Sequence, residues 1–156
     1  MRGSFFVHTV SEVMKMLPEM ELLQYIYKTA DMGCEGIDAV EKHAEEKMMQ
    51  ELRNERAEYE HVRGEADALI RRGGDEPAGN GTMTKLSTEM MSAAQMAMDD
   101  SRSKIAEMMI QGTTMGIVKT IRHLRDYKGD DREARGLGER LLQIQESNVE
   151  KMKAYL

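Results

Sequence analysis

The sequence has little of what builds disulfide-bonded scaffolds, sheets or membrane spans. It contains one cysteine, two prolines and no tryptophan, and aromatic residues make up 4% of the chain. A lone cysteine, Cys34, cannot form a disulfide within the chain, which is typical of a reducing compartment. No apolar run approaches the ~20 residues of a membrane-spanning helix, and the run Phe5-Phe6-Val7 is too short for a signal peptide. We therefore expect a cytoplasmic protein with no membrane partner.

What the sequence does contain favours helices. Charged residues make up 32% and hydrophobic residues 40% of 156 positions, which indicates one domain around one core. Sixteen methionines indicate a helical core filled by flexible side chains. The alternative is a methionine-lined groove for a partner helix, with Met108 and Met115 exposed on the third long helix. The net charge of −6 argues against a nucleic acid partner.

Hydrophobic periodicity and helix breakers divide the chain into an N-terminal extension, residues 1–17, and a single domain, residues 18–156. Pro18 suits the first turn of a helix, where its missing N–H is not needed. The pair Gly73-Gly74 closes the second helix, because glycine adopts the left-handed backbone conformation readily. The predicted long helices are 18–44, 46–72, 100–127 and 132–155, and a shorter crossover helix is 83–98.

The lengths of the connections predict the topology. Short turns join the first two and the last two long helices, so the members of each pair should pack antiparallel. The middle connection instead contains a helix of about 16 residues, which spans roughly 24 Å at 1.5 Å per residue. We therefore predict an all-α fold, a ferritin-like up-down-down-up four-helix bundle with a short crossover helix. An up-down-up-down bundle, which needs only a short loop here, is the second possibility.

One constellation could bind a metal. Glu58 and His61 are three residues apart and share a helix face, a spacing used by di-iron and di-manganese helical bundles. In an antiparallel hairpin with its turn near residue 45, Glu58 lies within about one turn of Glu35. Carboxylates and imidazole suit iron, manganese or zinc. The sequence thus predicts Glu35, Glu58 and His61 as metal ligands, with a surface salt bridge at Glu58 as the simpler interpretation.

The second hairpin supplies no matching ligands. The last long helix contains no histidine, and the stretch of the third long helix expected opposite the site runs from Met108 to Gly112. Methionine and isoleucine are poor ligands for hard metals. The sequence has no Ser/His/Asp or Cys/His arrangement and no phosphate-binding loop that follows a strand. We predict no catalytic residue, and either no cofactor or iron or manganese.

Three segments resemble a known family. They are the run Asn54–Tyr59 (NERAEY), the run Ala68–Pro77 (ALIRRGGDEP) with Gly81-Thr82, and the stretch Gly33-Cys34-Glu35-Gly36. They resemble the small bacterial ferritin-like proteins of unknown function, which carry an E-R-x-x-F segment and a G-G-x-P ending of the second helix. The resemblance covers about residues 20 to 156. It implies a ferritin-like bundle that is often dimeric and sometimes linked to metal and stress responses.

The chain departs from that family at the second half of the site. The third long helix in the family tends to carry a glutamate two residues before a glycine, and here Ile110 holds that position before Gly112. The last helix of the family often carries a histidine where this chain has Asn148. The resemblance therefore implies a degenerate di-iron site.

Two functions follow as expectations. The first is a non-enzymatic structural or interaction module, a homodimer without a complete di-metal centre. The second is a stress-related iron-binding or manganese-binding bundle that uses the partial site of Glu35, Glu58 and His61. The sequence identifies no protein partner beyond a second copy.

Overall fold

A computed structural model describes residues 10–78 and 101–156, which form four helices packed as a bundle. The helices are α1 (Val10–Glu41), α2 (Glu46–Arg72), α3 (Ser101–Asp126) and α4 (Arg132–Lys153). The prediction of an all-α four-helix bundle is confirmed. The predicted crossover helix, 83–98, lies outside the described residues. In the two described ranges, every helix is too short or too polar to cross a membrane.

The first helix differs most from its predicted bounds. It begins at Val10 instead of residue 18, so Pro18 lies inside the helix and not in its first turn. A proline removes one helical hydrogen bond, the bond to the carbonyl four residues earlier, and the surrounding turns can retain theirs. The helix also ends sooner, at Glu41. The N–H of His43 donates to Val40 O over 3.0 Å and that of Ala44 to Glu41 O over 3.1 Å, as in a tightened final turn.

The second helix ends at the predicted glycine pair. Gly74 adopts a φ of +86° in the left-handed region. The N–H of Gly74 donates to Arg71 O over 3.0 Å, and the N–H of Asp75 donates to Ile70 O over 3.1 Å. This is the Schellman arrangement, which satisfies helix carbonyls that would otherwise lack partners.

The turn between α3 and α4 is fixed by two side chains. The Asp131 carboxylate accepts the N–H of Glu133 over 2.9 Å and that of Ala134 over 3.2 Å, so it caps the start of α4. The Arg135 guanidinium donates back to the carbonyls of Leu124 and Tyr127, over 3.3 and 2.7 Å. The turn predicted after residue 127 therefore forms, and it holds the ends of both helices.

Ion pairs show how α1 and α2 run relative to each other. Arg63 lies 2.6 Å from Asp31, Arg56 lies 2.6 Å from Asp38, and Arg53 pairs with Glu41. From one pair to the next, the residue on α1 lies closer to the end of α1, and its partner on α2 lies closer to the start of α2. The first hairpin is therefore antiparallel, as the short turn predicted.

Contacts between the two hairpins also run antiparallel. Between α2 and α4 the pairs are Glu58–Lys151, Glu65–Arg140 and Arg72–Glu133, at 3.9, 3.1 and 3.0 Å. At one end of the bundle the Tyr25 hydroxyl of α1 lies 2.9 Å from Thr120 Oγ1 of α3. At the other end Arg102, near the start of α3, pairs with Glu45 after α1, over 3.7 Å. Helix α3 therefore runs antiparallel to α1, and α4 antiparallel to α2.

The core lies between the four helices and consists mainly of aliphatic and methionine side chains, with three buried tyrosines. Fully enclosed members include Ile26, Ile37, Met48, Leu52, Ile70, Ile105, Leu141 and Met152. Cys34 is buried in the same core, as expected of a small hydrophobic side chain. The buried methionines support the interpretation of methionine as a filler of the core.

Candidate functional site

The predicted ligand His61 lies at the solvent-facing edge between α2 and α4. Its side chain is 63% exposed. The ring Nδ1 lies 3.3 Å from Glu65 Oε1 and 3.1 Å from the Arg140 guanidinium. These neighbours account for the position of His61 as part of a surface network that joins the two helices.

Glu58 shares this edge with His61, as their spacing predicted. Its side chain is 40% exposed and lies 3.9 Å from the Lys151 ammonium. Glu35 is partly buried on α1. In the described ranges, no three His, Cys, Asp or Glu side chains lie close enough together to hold a metal ion. The role of Glu35, Glu58 and His61 as ligands therefore stays a prediction.

The acidic side chain that α2 turns into the bundle is Glu55. It is completely buried, in line with Leu52, Tyr59, Val62 and Ala66 on the inward face. Neither carboxylate oxygen has a hydrogen-bond partner within residues 10–78 and 101–156. A buried carboxyl without such a partner is costly to ionise.

The surroundings of Glu55 favour its protonated form. Burial raises the pKa of this carboxyl from 4.5 to about 8. The positive charge of Lys151 opposes the shift, and the negative charges of Glu51 and Glu58 add to it. Near pH 7 the Glu55 carboxyl is therefore mostly neutral inside the folded bundle.

Tyr59 lies one turn beyond Glu55 and is also buried, with 5% of its surface exposed. Its ring packs on α1 at Gly33, where a Cβ atom would lie 2.7 Å from Tyr59 Cδ2. Burial raises the pKa of the Tyr59 hydroxyl, and the nearby polar side chains of Asn148 and Thr113 oppose that change. The phenol therefore stays protonated and reaches residues of both α3 and α4.

Helix α4 contributes two buried amides to the same interior. Asn148 and Gln145 are each 2% exposed. In the described part of the chain, neither the amide nitrogen nor the oxygen of Asn148 has a hydrogen-bond partner. The Gln145 amide lies over Gly116 of α3, where a Cβ atom would lie 2.7 Å from Gln145 Nε2. We call Glu55, Tyr59, Gln145 and Asn148 the polar interior.

The polar interior does not fit a bridged pair of metal ions. Such a pair in a helical bundle uses glutamates from two helices and a Glu-x-x-His motif from each of the other two. The fully or nearly buried carboxylates among the described residues are Glu55 and Asp31, and Arg63 lies 2.6 Å from Asp31. Near Tyr59, α4 provides the buried Asn148, whose neutral amide is a weaker ligand than the expected histidine.

Sequence reasoning missed Glu55, although a signal was present. The hydrophobic stripe of α2 has a gap between Leu52 and Tyr59, and Glu55 fills the inward position inside that gap. The spacing of Glu58 and His61 drew attention to a different face. A carboxyl at a position that periodicity assigns to the core indicates a buried polar group more directly than a motif of two residues does.

Comparisons with protein-family models, with curated proteins and with solved structures find no match to this chain.

Proposed function

We propose that the chain is a ferritin-like bundle with up-down-down-up helix order. The direction of each helix supports this order, because α2 is antiparallel to α1 and α4, and α3 is antiparallel to α1. The chain leaves α2 beside the first half of α1, where Ala78 N–H donates to Gln24 Oε1 over 2.9 Å. It enters α3 beside Glu45, at the opposite end. A connection that crosses the length of the bundle joins these two points.

We further propose that the bundle is a structural or interaction module without a complete di-metal centre. The observation that carries this proposal is the buried, uncharged Glu55 on α2, together with the buried neutral amides of Gln145 and Asn148 on α4. A protonated carboxyl and a neutral amide supply dipoles and no negative charge, whereas di-metal centres rely on several carboxylates to balance the ions. This interior favours a scaffold that presents its outer faces to partners.

A second candidate function is the binding of a single iron or manganese ion in a stress-related role. The observation in its favour is that both Glu55 oxygens lack hydrogen-bond partners among the described residues. Glu35, Glu58 and His61, as predicted from the sequence, are the other candidates for ligands. An ion would have to displace the proton of Glu55, so its affinity would rise with pH.

Calorimetric titration with Mn²⁺, and with Fe²⁺ under anaerobic conditions, separates the two functions. The wild type, Glu55→Gln and His61→Ala are titrated at pH 7.0 and pH 8.5. The scaffold proposal predicts no saturable heat for any of the three proteins.

A saturable site of about one ion per chain that is lost in Glu55→Gln or in His61→Ala would overturn the scaffold proposal and establish the metal-binding function. Loss in only one variant would identify the ligand. The Glu58→Gln variant is the matched control for removal of a carboxylate at the surface.

A further inference from the structure

Helix α3 exposes apolar side chains in its middle turns. Met115 is 62% exposed and Val118 is 45% exposed, although both lie far from the helix ends. Beside them Gly112 is also exposed. The other methionines whose burial is described are buried or partly buried, so Met115 differs from the pattern that makes methionine a core filler here.

Six of the exposed and partly exposed residues of α3 lie on one line along the helix. Because an α-helix turns 100° per residue, positions spaced by three and four residues lie above one another. The line, which we call the α3 stripe, consists of Lys104, Met108, Gln111, Met115, Arg122 and Asp126. Met108 and Met115 are its apolar members, the exposed Val118 lies beside Met115, and its end residues, Lys104 and Asp126, carry opposite charges.

We propose that the α3 stripe is the surface on which a second copy of this chain binds, in an antiparallel pairing centred on Met115. This inference rests on the proposed function as an interaction module. In a two-fold symmetric dimer the same patch of each subunit must complement itself. The α3 stripe meets this requirement when the two copies run antiparallel, so that the start of one stripe faces the end of the other.

The charged residues of α3 favour a second copy of the chain over another kind of partner. With Met115 facing Met115, Lys104 of one copy lies level with Asp126 of the other, and Glu107 lies on the same flank as Arg125, about 3 Å away along the helix axis. Both pairs are opposite in charge, and two-fold symmetry forms each of them twice. Met108 lies level with the aliphatic part of Arg122, and Gln111 with Lys119. None of these facing pairs brings like charges together, which is the condition for a register that is electrostatically specific.

Within one chain, Lys104 and Glu107 are exposed enough to contact a second copy. The Lys104 ammonium lies 3.2 Å from Glu107 on its own helix, and both side chains remain about half exposed, at 53% and 45%. Exposed ion pairs of this kind contribute roughly 0 to 1 kcal/mol. The side chains can therefore turn toward a second copy at little cost.

The length of the stripe sets the expected strength of the dimer. From Lys104 to Asp126 the helix rises about 33 Å at 1.5 Å per residue. One helix face of this length buries less than the ~800 Å² per partner of a standard interface. We therefore expect a dimer that exchanges with the monomer as concentration changes.

Sedimentation velocity across a range of concentrations tests the proposal on the full chain. The variant Met115→Lys brings two like charges together at the symmetry axis, and we expect its dissociation constant to rise at least about tenfold. Asp126→Lys should weaken the dimer, and the double variant Lys104→Asp with Asp126→Lys should restore it. Leu17→Lys, at a side chain on α1 that is 56% exposed, is the matched control and should leave the dimer unchanged.

A disulfide test fixes the register. Met115→Cys in a Cys34→Ala background should form a covalent dimer on mild oxidation, whereas Gln143→Cys on the exposed face of α4 should not. A protein that stays monomeric at every concentration would overturn the proposal. So would a dimer that Met115→Lys leaves intact, or a thiol introduced by Met115→Cys that resists thiol reagents because another part of the same chain covers it. None of these results bears on metal binding, so the proposed scaffold function is judged separately by the titration.

Discussion

The carboxyl of Glu55 illustrates how one residue can set the chemistry of a helical core. Its helix is rich in charge, and its neighbours Arg56 and Glu58 are partly exposed and paired with charged side chains. Glu55 alone on this turn points inward, where water cannot stabilise its charge. Its surroundings therefore convert a surface-type residue into a neutral polar group at pH 7.

This burial predicts how stability depends on pH. The folded pKa of about 8 exceeds the ordinary 4.5, so between these values the unfolded chain releases a proton that the folded chain keeps. The free energy of unfolding should therefore fall as pH rises through that window, by at most about 1.4 kcal/mol per pH unit, and level off above it. Urea unfolding of the wild type and Glu55→Gln at several values from pH 4.5 to 8.5 measures this dependence.

In the Glu55→Gln variant we expect a flatter profile, so this variant should gain stability relative to the wild type as pH rises. The Glu58→Gln variant removes a carboxyl at the surface and keeps every histidine, so it serves as the control. Parallel profiles for the wild type and Glu55→Gln would contradict an uncharged Glu55 in the folded protein.

A second residue, Gly33, permits the close contact between α1 and the Tyr59 ring. In Gly33→Ala the new methyl group would lie 2.7 Å from ring carbon Cδ2, and the buried ring has little room to move. We expect a loss of about 1 to 3 kcal/mol in the free energy of unfolding, as for other overpacked cores.

The matched control for Gly33 is Gly64 on α2, where a Cβ atom would meet no other side chain or backbone group of the described residues within 4 Å. There the alanine removes only the entropic cost of glycine, so Gly64→Ala should stabilise by roughly 0.5 to 1 kcal/mol. Urea unfolding measures both variants. Equal effects of the two substitutions would exclude a tight contact at Gly33.

At the scale of helices, the α1–α2 hairpin depends on a partly buried ion pair. The Asp31 side chain is 8% exposed and lies 2.6 Å from the Arg63 guanidinium, whose side chain is 30% exposed. Removing one partner of a buried pair leaves a charge without compensation. The second oxygen of Asp31 already lacks a hydrogen-bond partner in the described part of the chain.

We therefore expect Arg63→Ala to destabilise the protein by about 3 kcal/mol, toward the lower end for a buried pair because Arg63 is partly exposed. Arg71→Ala removes an exposed partner of Asp67, where the side chains are 57% and 38% exposed, and should change stability by less than about 1 kcal/mol. Thermal unfolding of both variants provides the comparison. A loss at Arg71 as large as that at Arg63 would show that burial is not the cause.

The sequence predicts the helices well where a local signal determines the backbone. Gly73-Gly74 ends α2 because Gly74 can adopt a left-handed φ, and Asp131 starts α4 because its short carboxylate reaches two free N–H groups. The start of α1 is different, since the preference of Pro18 for a first turn is weak compared with the tendency of the preceding residues to continue the helix.

The candidate site could be predicted only in part, because its members come from different helices. The spacing of Glu58 and His61 correctly placed both on one face, but only the packing of α2 against α4 shows that this face meets solvent and Arg140. The burial of Glu55 and of Asn148 depends on the same packing. Residues far apart in sequence meet through tertiary contacts, which local periodicity does not encode.

At the scale of the whole molecule, two antiparallel hairpins enclose an interior that is apolar at its ends and polar near its middle. The proposed scaffold function follows from this middle layer, where a di-metal protein would place carboxylates from several helices. Here the buried Tyr59 lies near both the neutral Glu55 and the amide of Asn148. We propose that this layer holds no metal.

Metal content of the purified chain tests that claim most directly. The protein is prepared without chelators, incubated with Fe²⁺ and Mn²⁺, desalted, and analysed by elemental mass spectrometry. We expect well under one ion per chain, unchanged in Glu55→Gln. About two ions per chain in the wild type, lost in Glu55→Gln, would contradict it and would make the bundle a di-metal protein.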